Sequence, residues 1–450
     1  MANEALGVYK KMGVDLESDW AQGTITSATE LLPLREDGIA IGMGPSIIRP
    51  ARIQGDAVRK FSKLGTLAPK LSIPLFGYPH GSVMDIILAA FGTVVSTEVA
   101  SFTVTLDTND MIDFNEGGAE LHATLTPGTY AAGATSAVAG SLCALIKAQL
   151  ESAGAGTYTV SYSASTKKFT IVKSTGTFEI LWKTGVSGSD NADESAADLL
   201  GFTDSADDTG ALTYTADTAT EHVYDHVFTI AGATTYGLSK GLTSQILMAT
   251  GKVYDVLDGV VDSLKFSMAP NEELMLDAEV EARLVADSSD TLAAVTAPTA
   301  DALLYSQLVF SVASDPRDVA GFEVTLNNNF KKDLHVNGQY RSRFPRNALA
   351  EISGQFTLDL ADSVSYAIYD AMIAGTQPAL SAIFTGATNS IKTGFHYTYT
   401  LNMYQVQYNL EEIPGGGGED APVATIPFEC YDDGTNGALK CTVRNNESAI

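Results

Sequence analysis

Between Val253 and Val285 the chain reads as two long strands joined at Ala269-Pro270-Asn271. In the second strand Leu276, Ala278, Val280 and Ala282 alternate with Asp277, Glu279, Glu281 and Arg283. A period of two puts apolar residues on one side of a pleated strand and charged residues on the other. This pair therefore belongs at the centre of a sheet that is buried on one face and acidic and wet on the other. Shorter runs of the same kind follow in ALLYSQLVFSV, GFEVTLNNNF, AEISGQFTLDL, GFHYTYTLNMYQVQY, VATIPFECYDD and ALKCTVRN, divided by Gly and Asn turns. Helices are few. In HGSVMDIILAAFG, Ser82 is placed to cap a first turn, Val83, Ile86, Ile87 and Ala90 share a face, and Gly92 ends it. A second helix is expected in ADSVSYAIYDAMIAG, with Val364, Ile368, Ala371 and Met372 inward.

At 450 residues the chain is longer than one core usually holds. Residues 1–34 are punctuated by Gly7, Gly13, Gly23 and Pro33 and read as an irregular, extended arm. Composition shifts near residue 98, and from there to 218 the chain is rich in Ala, Thr, Gly and Asp. This stretch has a complete grammar of its own: strands SFTVTL and AELHATL, a helix from Ser141 to Leu150, then a meander of TYTVSY, KFTIV and FEILW. One amphipathic helix with five or more strands can bury a core. Three regions follow: 1–97, the arm and first part of a host domain; 98–218, an inserted α+β domain; and 219–450, the remainder of the host.

Charge narrows the function. Against 27 Lys plus Arg stand 54 Asp plus Glu, a formal charge of −27, which argues against nucleic-acid binding through a basic surface. No run approaches the roughly 18 apolar residues of a membrane span, and no apolar stretch follows Lys10 and Lys11 as a secretory signal requires. Cys143, Cys430 and Cys441 are too few and scattered for a disulfide framework and read as buried free thiols, with Cys430 and Cys441 on either side of a hairpin turn at Asp432–Gly437.

Catalytic and cofactor signatures are missing: no nucleophile elbow, phosphate loop or dinucleotide fingerprint stands in a strand–turn–helix context. The nearest approach to a metal pair is His222 and His226 around Asp225, read as partly exposed strand histidines. Asp207 and Asp208, and Asp190, Asp193 and Glu194, read as solvated loop acids. Asp432–Gly437 lacks the twelfth-position Glu of a calcium loop. No cofactor or metal is implied. Tyr397, Tyr399, Tyr404 and Tyr408 read as sheet packing rather than as sugar platforms. One basic patch, Lys331, Lys332, Arg341, Arg343 and Arg346, surrounds HVNGQYRSRFPRN and suits docking against an acidic face of a neighbouring subunit.

Several pieces in order resemble the tail tube proteins of long-tailed bacteriophages: the arm with ESDWAQG, the run RPARIQGDAVRKF, the helix ending AAFG, the strand pair GKVYDVLDGVVDSLKFSMAPNEELMLDAEVEA, then VTLNNNFKKD and AEISGQFTLDL. Residues 98–218 depart from the plain tube pattern and resemble a module of phage virion proteins. The resemblance implies a mainly β fold, a β-sandwich or barrel with short helices plus the inserted α+β domain. It also implies a non-enzymatic structural protein that assembles with itself into stacked, hexameric rings, with tape measure, terminator and distal tail proteins as partners, no membrane, and genome DNA passing through without specific binding. Assembly would take place in the host cytoplasm and the product would be the virion tail. Asp277, Glu279 and Glu281 are then expected to face the lumen. The alternatives are another tail component, distal or minor, and a host-surface carbohydrate-binding virion protein.

Overall fold

The strand pair expected around Ala269-Pro270-Asn271 is the spine of the larger of the host's two main sheets. In the computed structural model Val253–Met268 pairs antiparallel with Met275–Glu281, and Asn271 takes the left-handed conformation (φ 64°) that the turn needs. The structure describes residues 11–16, 31–35, 38–42, 47–48, 63–64, 68–231, 241–247, 252–287, 303–330, 336–337, 340–341, 344, 348–359, 363–409, 423–448 and 450. Across the larger sheet the order is Ala40–Gly42, Lys70–Phe76, Met275–Glu281, Val253–Met268, Gly321–Asn327, Glu351–Asp359, Val423–Tyr431 and Gln405–Tyr408. The long strand also serves a second set of partners. Its first half pairs with Leu242–Leu247 and Leu284–Asp287, and a bulge near Asp258 (φ 53°) redirects it. At that bend the buried Asp258 is held by the Arg283 guanidinium.

Part of the stretch read as an irregular arm is a strand: Lys11–Leu16 pairs antiparallel with Leu242–Leu247 and buries Met12 and Val14. Alternate apolar residues inside a glycine-punctuated run were enough to recruit it to an open sheet edge. Most of the remaining arm lies outside the described residues.

The smaller sheet runs Asp315–Arg317, Leu308–Val312, Leu380–Lys392, Phe395–Met403, Lys440–Asn445, Val223–Ile230 and Gly92–Val99. Its inward residues, among them Phe310, Phe384, Tyr399, Leu401 and Val443, share one buried cluster with Phe266, Leu276, Val324, Phe356 and Ile426 of the larger sheet. The Phe310 and Phe356 rings meet at 5.1 Å across the layer. The host is thus a mainly β sandwich, as the resemblance implied. Helix α1, Gly81–Phe91, is buried along most of its length and stops at Gly92 (φ 93°), as expected. Ser82 does not cap it; its hydroxyl donates to the Leu31 carbonyl at 3.3 Å, because the residue sits one step inside the helix rather than before it. The later helix, Ser363–Ala374, turns Ile368 and Tyr369 inward with Ala371 and Met372 half-buried, and the Val364 side chain lies outside the described residues.

Residues 102–216 hold a second buried cluster, built on three small sheets and the helix Leu142–Ala153. Ser141 caps that helix, its hydroxyl accepting from Ala144 N at 3.2 Å. The meander differs from expectation. Lys168–Lys173 takes Thr213–Thr215 as its third strand, while Glu179–Ile180 joins Met111–Asn115. The turn after Cys430 is also not a hairpin: Val423–Tyr431 belongs to the larger sheet and Lys440–Asn445 to the smaller, so Asp432–Gly437 arches between layers. The Asp433 carboxylate closes the arch by accepting from Thr435 N (2.8 Å) and Asn436 N (2.6 Å), which pulls its pKa down to about 2. All three cysteines are free and buried, and burial pushes Cys143 and Cys430 up to about 12.

Gly354 lies mid-strand with a neighbour's ring against it: a Cβ there would sit 2.5 Å from Phe428 Cζ and closer still to the Glu323 carbonyl oxygen. Gly354→Ala should therefore destabilise the host by about 1–3 kcal/mol, the usual cost of overpacking. A calorimetric melt of the variant beside the native chain checks this.

Candidate functional site

Burying one face of the larger sheet against the smaller leaves the alternate residues of every strand on the other face. Register then lines them up in rows. One row reads Asp277, Lys265, Thr325, Ser353, Glu429 and Gln407 across six adjacent strands. The next reads Glu279, Ser263, Asn327 and Glu351, and a third Met275, Ser267, Glu323 and Gln355. The result is a broad polar face with five carboxylates, Asp277, Glu279, Glu323, Glu351 and Glu429.

Cations answer some of them. Arg35 Nη1 stands 3.1 Å from Asp277 Oδ1, and Lys265 Nζ pairs with Glu323. Glu279, Glu351 and Glu429 are exposed and make no ion pair among the described residues; Glu429 accepts from the Tyr431 hydroxyl at 2.7 Å. Among the described residues the face is therefore net acidic, with its surplus on three strands. Screened pairs of this kind add little stability, so the arrangement matters for its field rather than for the fold.

Of the three carboxylates expected on one wet face, the structure keeps two there. Asp277 is partly exposed and Glu279 exposed, but Glu281 is buried, with 4% of its surface accessible. Its direct cross-strand partner is Lys70, whose Nζ lies 2.5 Å from Glu281 Oε1. At that end of the strand the side chain is covered within the fold, which alternation alone does not disclose. Sequence reading also missed Glu323, Glu351 and Glu429. Each strand showed its own alternation; the register that adds them to one face is a tertiary fact. Of the basic patch, Arg341 is in the strand Tyr340–Arg341 paired with Val336–Asn337, while Lys331, Lys332, Arg343 and Arg346 lie outside the described residues.

The other sequence candidates are structural. His222 and His226 are buried, not partly exposed: His226 lies on an inner strand between Gly92–Val99 and Lys440–Asn445, and His222, just before that strand, packs edge-on against the Tyr162 ring. Tyr162 Oη lies 2.9 Å from His222 Nδ1, and His226 holds Ser96 Oγ and Asn445 Oδ1, each at 2.8 Å. Asp225, between them, is turned to the other face, where Arg444 grips it through two bonds of 2.7 and 2.8 Å. Asp207 and Asp208 are loop fasteners rather than solvated acids. Asp207 accepts from Lys183 N, Thr184 N and Thr184 Oγ1, and Asp208 accepts from the Trp182 indole at 3.0 Å. Tyr397, Tyr399 and Tyr408 are buried in the sandwich.

The described residues thus build a mainly β sandwich with a broad polar sheet face. Comparison with protein families says which class this is: the model of the phage tail tube protein family matches residues 10–430, so the chain belongs to that family and is a structural protein of the phage tail. A comparison with curated protein sequences finds no match.

Burial lowers both His222 and His226 below their ordinary value of 6.5. An unfolded chain takes up protons at these positions first as pH falls, so their contribution to stability is complete above about 6.5 and is lost below it. Imidazole NMR titration should show both rings taking up their protons below the ordinary histidine value, with the melting temperature falling as the solution is acidified.

Proposed function

We propose that the chain forms closed hexameric rings that stack into the tail tube, with the polar face of the larger sheet lining the lumen and genome DNA passing through it. The observation that carries this reading is the convergence of five carboxylates from several strands on one sheet face, with Glu279, Glu351 and Glu429 lacking a cation among the described residues. A wall of that sign repels the phosphate backbone at close range, where a Debye length of about 8 Å leaves the field effective. DNA then slides rather than sticks. Asp277 and Glu279 keep their lumen assignment; Glu281, already paired to Lys70, contributes to the wall's stability instead. The patch of Lys331, Lys332, Arg341, Arg343 and Arg346 is assigned to contact with an acidic face of the next subunit. Edge strands of both sheets are completed by neighbouring copies, and the tape measure, terminator and distal proteins cap and measure the tube. Assembly takes place in the host cytoplasm.

We assign residues 98–218 to an inserted domain on the outer wall. Val99 and Val223 are direct cross-strand partners, so the module leaves and re-enters the host at one point of one sheet edge. The lumen must stay clear, and the outside has room.

Purified protein should form rings or tubes in negative-stain images, and reversing Glu279, Glu351 and Glu429 together to Lys should leave assembly intact while slowing DNA ejection. Unchanged ejection kinetics would remove the lumen assignment, and a chain that stays monomeric at high concentration with the tail initiator present would remove the ring.

A chain in which residues 100–222 are replaced by an Asn-Gly turn should still assemble, with a thinner outer profile in projection. A folded deletion variant that cannot polymerise would place the module in the ring contact.

A further inference from the structure

We propose that Asp113, Glu120 and His122 bind one divalent transition-metal ion of the zinc class. Asp113 and His122 are direct partners across the antiparallel strands Met111–Asn115 and Glu120–Thr124, and Glu120, two residues before His122, projects from the same face. The three ligand atoms lie within 4.8 Å of one another. His122 Nδ1 stands 2.7 Å from Asp113 Oδ1 and 3.9 Å from Glu120 Oε1. Tetrahedral zinc with bonds of about 2.0–2.2 Å sets its ligand atoms about 3.3–3.6 Å apart, so shifts of under about 1 Å admit the ion.

The two carboxylates differ in setting from ordinary surface acids. Asp113 is 3% exposed, and its second oxygen, Oδ2, accepts from Ser187 N at 2.6 Å. Glu120 Oε1 accepts from the preceding amide, Val186 N, at 2.7 Å. Two consecutive amides of one loop thus orient both carboxylates, the kind of outer support that tunes metal ligands. Asp113 also accepts the loop through its own carbonyl, from Leu181 N at 2.8 Å. The imidazole is exposed, which leaves the remaining coordination positions to water. Two carboxylates and one imidazole form a nitrogen–oxygen set that suits Zn2+, Co2+ or Mn2+ better than a soft ion, and the charges of the carboxylates balance the cation's. No spacing motif announced the site: its ligands come from facing strands, and Asp113 reads in sequence as one more strand residue in IDFN.

An ion there would clamp the two strands of the hairpin together beneath the loop that orients its carboxylates, in a module whose sheets have only two or three strands each. Small sheets gain most from such a staple.

The full chain, stripped with a chelator and dialysed, would be titrated with Zn2+ by calorimetry and with Co2+ by visible absorption. One equivalent should bind, Co2+ should develop d–d bands, and the melting temperature should rise. His122→Ala and Glu120→Gln, each verified as folded by circular dichroism, should lose that equivalent and the rise in melting temperature. Equal binding by the native chain and both variants, absence of any stoichiometric binding, or Ca2+ binding that outcompetes Zn2+ and survives His122→Ala would overturn the site.

Discussion

The apolar layer between the two sheets is the constraint from which the other features follow. Once Leu276, Ala278 and Val280 are committed to that layer, their neighbours Asp277 and Glu279 have no choice but the opposite face. A slip of one residue would exchange the two sets, exposing the apolar side chains and burying carboxylates at roughly several kcal/mol per ion. The same demand acts on Gly321–Asn327, Glu351–Asp359 and Val423–Tyr431, each of which buries its own alternate residues. The acidic face is therefore a by-product of core formation that selection can tune one side chain at a time. Changing Glu351 or Glu429 alters the field without touching the packing beneath.

The module at 102–216 is attached more firmly than a tether would require. The host strand Gly92–Val99 hands the chain over beside Val223, and Glu98 then accepts from Ala132 N (2.8 Å) and Gly133 N (3.2 Å) of the module. Lys167 pairs with Glu221 at 2.6 Å, and Lys392 of the host stands over the Phe102 ring at 3.8 Å. Tyr162 reaches His222. These contacts surround the crossing point on several sides, and a charge held over an aromatic face gains when desolvated. Burial lowers the Lys392 pKa, with Glu221 opposing that shift. Module and host are thus joined by polar, ionic and ring contacts as well as by the chain itself.

Much of this was legible in the chain, and the limits have a common cause. Alternation located the central strands, the turn at Ala269-Pro270-Asn271, and the end of helix α1 at Gly92, because each depends on residues a few positions apart. Pairing across long separations was not legible. The Lys11–Leu16 strand needed an open edge, which Leu242–Leu247 offers from more than two hundred residues away, and Thr213–Thr215 took the meander position expected for Glu179–Ile180. The arch at Asp432–Gly437 has the residues of a hairpin turn, yet its flanking strands find better partners in opposite layers.

The sequence by itself determined the class of fold, the acidic balance, the helices and the membership of a buried or wet face for most strand residues, since local periodicity and side-chain chemistry decide these. Register and layer were decided only in three dimensions. They brought Glu323, Glu351 and Glu429 beside Glu279, covered Glu281 within the fold where it pairs with Lys70, and set His122 against Asp113. Those outcomes depend on which distant strands lie side by side, and hydrogen-bonded backbones of similar composition compete for that place until the whole core is packed.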